Sequence, residues 1–227
     1  SLVPADAVVL AGGAACSALL LAGPAPDAAA ALDAIPLAST TVVSLGFRVD
    51  DFDRPPDSQG WLEVDPGPVS GVTTSSVKYA GRAPDGQALV RVFIPDKRGP
   101  LTGAPDDELL PAVLDHVRPL LGVHGEPTVT RIDRWHAVMP KYTVGHLDRV
   151  AAVDGWLAAH RPTWAVAGSA LHGVGLPECV ADGRARADAV LDAAAGRARG
   201  EGPSGAPEAG TVPADGSGAA VPAAKGA

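Results

Sequence analysis

Residues 164–187 read WAVAGSALHGVGLPECVADGRARA, and this stretch decides how the rest of the chain is interpreted. Its first four residues are expected to form a buried strand, which a glycine-rich turn follows. Gly173 and Gly175 allow the backbone to approach a flat ligand closely, or to adopt a positive φ without a Cβ penalty. Pro177 suits the first turn of a helix, because its missing N–H would be unpaired there anyway.

The helix that begins near Pro177 has one face of apolar and small side chains at helical spacing, formed by Val180, Gly183, Ala187, Val190, Leu191 and Ala194. A strand, a glycine turn and a helix N-terminus together direct free backbone N–H groups and a positive dipole end towards a ligand. The alternative is a tight βα turn that binds nothing. The sixth position of GVGLPE is Glu178, so this is not the dinucleotide fingerprint.

Two motifs carry a resemblance to a known family. The sequence GVGLPEC at residues 173–179 resembles the GVGIPDC flavin motif of bacterial protoporphyrinogen and coproporphyrinogen oxidases. Residues 134–150, RWHAVMPKYTVGHLDRV, resemble that family's RW..AMPQY.VGHL.RV segment, and the two motifs occur in the family's order. The chain is therefore similar to FAD-dependent porphyrinogen oxidases of haem biosynthesis.

The resemblance implies an FAD site and assigns residues to it. The cofactor-binding residues that it implies are Trp135, Gly173, Val174, Gly175 and Leu176. The residues that it places on the substrate side of the flavin ring are Met139, Pro140 and Tyr142. No catalytic residue is assigned, because the flavin performs the redox chemistry and the protein supplies shape and hydrogen bonds.

Several of these positions have a plainer interpretation. Trp135 could be ordinary core packing, and His146 could simply begin its helix rather than take part in catalysis. Lys141 replaces a common Gln of the family pattern, and Glu178 replaces a common Asp. Leu-His at residues 171–172 replaces a common Tyr-Arg type of pair, so the departures affect the choice of substrate more than the choice of cofactor.

Composition excludes several classes of function. The 227 residues carry a formal charge of −8, which argues against a nucleic-acid groove. No apolar run reaches the roughly 18 residues that a bilayer span needs. Two cysteines in a chain of this length indicate a reducing compartment, so we expect a cytoplasmic protein, free or peripheral to a membrane. No zinc-ligand spacing, P-loop or GxSxG elbow is present, so we expect no metal site and no hydrolase.

The remaining patterns predict alternating strands and helices. Strand patterns occur at residues 40–49, 60–64, 72–79, 88–94 and 127–132, and a strand, a Gly-Gly turn and a helix occupy residues 6–21. Helical patterns cover residues 27–32, 105–121 and 146–159. The fold class that we expect is α/β, and the resemblance implies the C-terminal portion of a two-domain oxidase, with an incomplete Rossmann-like FAD domain and a substrate domain built from a mixed sheet and helices.

The expected division has four parts. The resemblance implies that residues 1–33 supply a returning strand and helix of the FAD domain and that residues 34–134 form the substrate domain. Residues 135–199 contain the flavin-contacting segment and the last part of the FAD domain. Residues 200–227 are Gly, Ala, Pro and Ser rich and are predicted to be disordered. The literal GxGxxG at residues 200–205 follows no strand and contains Pro203, so we expect no phosphate site there.

The function implied by the resemblance is oxidation of a porphyrinogen, coproporphyrinogen III or protoporphyrinogen IX, to the porphyrin with oxygen as acceptor. The substrate would be a small molecule, and the sequence does not indicate an oligomeric state. Because the chain opens almost directly on a buried strand, we expect it to be part of a longer protein. The family's first Rossmann turn, which holds the FAD pyrophosphate, would precede Ser1, so we expect this chain by itself to bind FAD weakly or not at all. The alternatives are another flavin amine-oxidase-like oxidoreductase and a non-catalytic remnant.

Overall fold

The structure is a computed structural model that describes residues 3–64 and 67–199. The predicted disordered tail and its GxGxxG sequence lie outside the described residues. The elements, in chain order, are β1 (Val8–Leu10), α1 (Ala14–Leu21), α2 (Pro26–Asp33), β2 (Leu37–Arg48), β3 (Gly60–Leu62), β4 (Gly71–Thr74), α3 (Ser75–Lys78), β5 (Gln87–Pro95), α4 (Asp106–Leu121), β6 (Val129–Pro140), α5 (His146–His160), β7 (Trp164–Val166) and α6 (Leu176–Ala198).

The larger sheet has five strands in the order β3-β4-β5-β2-β6, and all of its paired neighbours are antiparallel. Burial alternates along β5, as expected of a strand with one face in a core. The helix α4 packs against that face, and its acidic first turn lies at the positive end of its dipole. The core between them includes Val43, Leu45, Phe47, Val90, Val92, Leu109, Val113 and Val117.

A second core forms around a parallel pair of strands, β1 and β7, with Val8, Val9 and Leu10 opposite Trp164, Ala165 and Val166. Small side chains of α1 and α2 pack there with Val150, Val153 and Leu157 of α5. The mixture of a parallel pair and an antiparallel sheet, each covered by helices, confirms the predicted α/β class. In residues 3–64 and 67–199, no helix is long and apolar enough to cross a bilayer.

Two strand predictions need correction. The strand expected at residues 72–79 ends at Thr74, and Ser75–Lys78 form a helical turn that the Tyr79 N–H closes on the Ser75 carbonyl. The Ser76 hydroxyl accepts a hydrogen bond from the Leu89 N–H, which holds this turn against β5. The strand expected at residues 127–132 is longer, because β6 pairs with β2 as far as Pro140. It therefore crosses residue 135, where we placed a domain boundary; the division into domains stays a prediction.

Arg134 joins β6 to the start of α4, and its replacement is our first prediction. Its guanidinium donates to the Ala104 carbonyl at 2.6 Å and pairs with Asp106 at 2.7 Å. Because the Arg134 side chain is only 26% exposed, Arg134→Met is expected to lower the free energy of unfolding by about 1–1.5 kcal/mol. The control is Arg131→Met on the same strand, whose side chain is 74% exposed although it also pairs with an aspartate. Urea denaturation should separate the two variants; equal losses would contradict this role for Arg134.

Candidate functional site

The glycine motif lies at the carboxyl end of the parallel strand pair. The Ala167 N–H donates to the Leu10 carbonyl at 2.9 Å, so the turn after β1 and the turn after β7 leave the sheet side by side. Gly13 and Gly168, one in each turn, have positive φ values of 82° and 122°, and a Cβ at either position would meet no residue beyond its chain neighbours within 4 Å. Ligands of open α/β sheets bind at this edge, outside the carboxyl ends of the strands.

The N-terminus of α6 presents backbone donors at the same edge. In the described parts of the chain, the N–H groups of Val174, Gly175 and Leu176 donate no hydrogen bond to another backbone group. Val174 and Leu176 are exposed and Gly175 is half-buried, so the loop presents apolar groups at the surface beside these amides. A helix of 23 residues places the positive end of its dipole there. Unpaired donors and apolar contacts together fit the polar edge and the flat face of a flavin ring.

The glycines also have a structural role in this turn. A Cβ on Gly173 would lie 2.6 Å from the Cβ of Glu178, and a Cβ on Gly175 would meet the Glu178 carboxylate. Glycine is thus required at residue 173, because the turn folds back onto the first turn of α6, whereas at residue 175 the overlap involves only the flexible end of the exposed Glu178 side chain. The close approach explains the motif without a ligand, while the unpaired amides are what a ligand would use.

The second motif holds the glycine loop from the other side. The Tyr142 hydroxyl donates to the Ser169 carbonyl at 2.7 Å, and Nε2 of His146 donates to the Leu171 carbonyl at 2.9 Å. The two rings are stacked, with centroids 3.9 Å apart. His146 begins α5 and is buried, so the structure places it as a support of the loop.

A charged cluster fixes the loop to α6. The buried Asp182 carboxylate accepts from the Gly168 N–H at 3.0 Å and contacts Nδ1 of His172 at 2.8 Å. Arg186 donates to Asp182 at 3.3 Å and to Asp154 of α5 at 2.8 Å. Burial alone would lower the pKa of Arg186, but the hydrogen bonds and charges of Asp154 and Asp182 raise it. Both ends of the glycine loop are therefore tied to α5 and α6.

Trp135 and Met139 lie elsewhere, in a groove of about 660 Å³ on the face of the large sheet opposite α4. Phe93 of β5, Val42 of β2 and Val138 of β6 complete its apolar lining. Trp135 is 48% exposed, so the groove face, rather than the core, is its environment. A cavity of this volume is within the range that holds small-molecule ligands.

A β-bulge shapes this groove. Thr40 of β2 pairs with Trp135 of β6, and Ala38 of β2 pairs with Met139 of β6. Between these two pairs, β6 has three residues where β2 has only Ser39. Ala137 has a positive φ of 48°, and its N–H donates to the hydroxyl of Ser39 at 3.0 Å. Bulges redirect side chains and are frequent next to active sites. Neither the bulge nor the groove could be predicted from the alternation of residue types in β6.

The predicted site residues therefore form two groups. Gly173, Val174, Gly175 and Leu176 share the loop before α6, whereas Trp135 and Met139 share the groove. Pro140 ends β6, and Tyr142 contacts the glycine loop rather than the groove. The roles assigned to these residues stay predictions. Sequence reasoning missed Gly13 and Gly168, because no pattern in the sequence shows that β1 pairs with β7.

Comparison with known proteins identifies the family. The profile of the flavin-containing amine oxidoreductases matches residues 1–191. The chain belongs to this family. It is 72% identical over 192 residues to a coproporphyrinogen III oxidase of Propionibacterium freudenreichii, covering 85% of this chain and 36% of that protein. A coproporphyrinogen III oxidase of Mycobacterium bovis is 38% identical over 197 residues, with 85% of this chain and 42% of the relative covered. The chain thus spans less than half the length of these relatives.

Two solved structures have a similar fold. One from Exiguobacterium sp. 255-15, provisionally assigned as a protoporphyrinogen oxidase, has a TM-score of 0.66 and 28% identity, covering 84% of this chain and 41% of that one. A reduced UDP-galactopyranose mutase has a TM-score of 0.59 at 14% identity, covering 74% of this chain and 37% of that one, and shows the fold alone. The resemblance inferred from the two motifs is confirmed.

Our second prediction concerns the hydrogen bond between Tyr142 and Ser169. Tyr142→Phe removes a neutral hydrogen bond and is expected to lower the free energy of unfolding by about 1 kcal/mol at neutral pH. Partial burial raises the pKa of the Tyr142 phenol, opposed by the nearby Gly173 backbone amide. The protonated donor is therefore favoured by folding, so its contribution is complete below about pH 10 and is lost as the pH rises through the raised pKa.

The measurement is urea denaturation of the wild-type and Tyr142→Phe proteins from neutral pH up to about pH 11, above the ordinary pKa of tyrosine. The difference between their free energies of unfolding should be constant at neutral pH and should shrink at the alkaline end. Tyr79→Phe is the control, because the other tyrosine of the chain is exposed and lies outside both groups of site residues. A difference that grew with pH would contradict the assignment of the phenol as a donor.

Proposed function

We propose that the protein containing this chain oxidises coproporphyrinogen III to coproporphyrin III in haem biosynthesis, with FAD as cofactor and oxygen as electron acceptor. The observation that carries the proposal is the 72% identity to a coproporphyrinogen III oxidase across 85% of this chain. The loop before α6 and the groove support it, because they offer a flavin and the macrocycle of a porphyrinogen separate surfaces. Porphyrinogen oxidation to the porphyrin removes six electrons and six protons, so three O₂ would become three H₂O₂.

The residues of this chain would bind and orient the flavin and the substrate. The amides of Val174, Gly175 and Leu176 would hold the polar edge of the flavin, and Tyr142 and His146 would fix the loop that carries them. Trp135, predicted to contact the flavin, and Met139, predicted to lie on the substrate side, would together line the apolar groove and exclude water from it. When bound, the flavin would accept hydride from the substrate and pass the electrons on. We place the protein in the cytoplasm, free or at a membrane surface.

The test uses the longest natural chain that contains these residues, purified with its flavin. Coproporphyrin III fluorescence should appear when coproporphyrinogen III and oxygen are supplied, with about three H₂O₂ released per porphyrin. Protoporphyrinogen IX is the rival substrate, favoured by the provisional assignment of the Exiguobacterium structure. Faster turnover of protoporphyrinogen IX would reverse the choice of substrate. Porphyrin formation no faster than autoxidation from either compound would contradict the enzyme proposal.

A further inference from the structure

The Arg91 guanidinium lies 5.5 Å from the ring centroid of Phe93, which lines the groove beside Trp135, and two lysines lie at one end of that groove. Lys97 and Lys141 line it there, together with Asp96. Lys97 follows β5, which ends at Pro95, and Lys141 follows β6, which ends at Pro140. Because β5 and β6 are both antiparallel to the intervening β2, their carboxyl ends lie at the same edge of the sheet. Residues 44 positions apart in the sequence are thereby placed at one end of one groove.

Both ammonium groups are available to a ligand. Neither lies within 4 Å of a carboxylate anywhere in the part of the chain that the structure describes, and both side chains belong to exposed residues. The carboxylate beside them is already used, because Asp96 accepts a hydrogen bond from the Ser39 N–H at 2.8 Å. That hydrogen bond lowers the pKa of Asp96 against the opposing effect of burial, and the charges of Lys141 and Lys97 lower it further. Two cations and one anion leave this end of the groove with net positive charge.

The chemistry of the groove defines its occupant. An apolar floor of Val42, Phe93, Trp135 and Met139 suits a flat or bowl-shaped hydrophobic body, and lysines at one end suit carboxylates on its edge. We propose that Lys97 and Lys141 bind propionate groups of the tetrapyrrole substrate and favour substrates with four propionates over those with two. This specificity site rests on the proposed function for its substrate class. It also offers a reason for the lysine at residue 141, where the pattern of the porphyrinogen oxidases commonly has Gln.

The kinetic test compares Lys97→Gln, Lys141→Gln and the double variant in the flavin-bound, longest natural chain. Each single change should raise KM for coproporphyrinogen III about two- to fivefold, and the double change about tenfold, with kcat nearly unchanged. KM for protoporphyrinogen IX, which has two propionates, should rise less. Lys78→Gln is the matched control, because Lys78 is exposed at the end of α3, near the opposite end of β5 from the groove. Higher salt should weaken wild-type binding more than binding by the double variant.

A binding measurement separates this inference from the enzyme proposal. Calorimetry with the oxidised probes coproporphyrin III and deuteroporphyrin IX, which carry four and two propionates, needs no turnover. The lysine variants should lose affinity for coproporphyrin III more than for deuteroporphyrin IX. Asp96→Asn should have the opposite effect and raise the affinity for coproporphyrin III about two- to fivefold. The asparagine keeps an oxygen that can accept from the Ser39 N–H but removes the negative charge.

The outcomes are distinct. Charge-dependent binding of coproporphyrin III without porphyrinogen oxidation would keep the specificity site and contradict the enzyme proposal. If the protein oxidises coproporphyrinogen III but the lysine variants have the same KM values and probe affinities as wild type, the enzyme proposal stands and the specificity site is overturned. An equal loss of affinity in Lys78→Gln would also overturn the specificity site, because a general effect of net charge would then explain the data.

Discussion

Asp182→Ala is expected to lower the free energy of unfolding by about 3 kcal/mol and to weaken flavin binding with it. Asp182 is 9% exposed and is the shared acceptor of the Gly168 N–H, of His172 and of Arg186. Removing it leaves a backbone donor and part of a guanidinium charge without a partner. Loss of one member of a buried charged pair costs more than the pair itself contributes, because the remaining group stays desolvated.

The loss of stability in Asp182→Ala should be smaller than the largest losses seen when a buried ion pair is broken. Arg186 keeps its hydrogen bond to Asp154 at 2.8 Å, so its charge is only partly uncompensated. Asp182→Asn should lose less than Asp182→Ala, because an amide oxygen can still accept from the Gly168 N–H. The larger share of the functional loss should be in flavin affinity, since Gly168 and residues 173–176 belong to one loop.

The control for Asp182→Ala is Asp192→Ala, ten positions further along the same helix, where the side chain is exposed. It makes the same chemical change with the same gain in helix propensity, and it should leave stability within about 0.5 kcal/mol of wild type. Thermal and urea denaturation measure the stabilities, and flavin fluorescence measures release of the cofactor. A loss from Asp182→Ala no larger than that of the control would contradict its role as the anchor of the loop.

The sequence allowed the elements of the site to be predicted more fully than their arrangement. Periodicity and helix-start chemistry placed α4, α5, β7 and the start of α6 to within a residue or two. The pairing of β1 with β7 depends on contacts across more than 150 residues, so no local pattern carries it. The bulge at Ala137 depends on the register between β2 and β6, which is likewise non-local.

The same distinction explains the error at residues 72–79. The β-branched and apolar residues there satisfy the pattern of a strand, yet Ser76 finds a partner in β5 and the chain turns at Ser75. The partner of Ser76 lies 13 residues further along the chain, so composition alone does not show that this hydrogen bond forms. The charged cluster of Asp154, His172, Asp182 and Arg186 was missed for a related reason, since its members come from α5, the glycine loop and α6.

Gly173→Ala is expected to cost about 2 to 4 kcal/mol of stability and at least tenfold in flavin affinity. Gly173 has φ of 155°, a conformation that residues with a Cβ rarely adopt. Its new methyl group would also lie 2.6 Å from the Cβ of Glu178, so the first turn of α6 would have to move. Any such movement displaces the amides of residues 174–176, which is why cofactor affinity should fall together with stability.

A double-mutant cycle separates the two causes. In a Glu178→Gly background the Cβ overlap is absent but the unfavourable φ remains, so Gly173→Ala should cost about 1 to 3 kcal/mol less than in wild type. The control Gly183→Ala lies within α6, where the added methyl group would have no neighbour within 4 Å apart from the nearby backbone of its own helix, and it should stabilise the protein by about 0.5–1 kcal/mol. An equal loss in both backgrounds would show that backbone conformation alone requires glycine at residue 173. No loss in either would mean that the turn tolerates a side chain, and the glycine motif would then need its ligand to explain it.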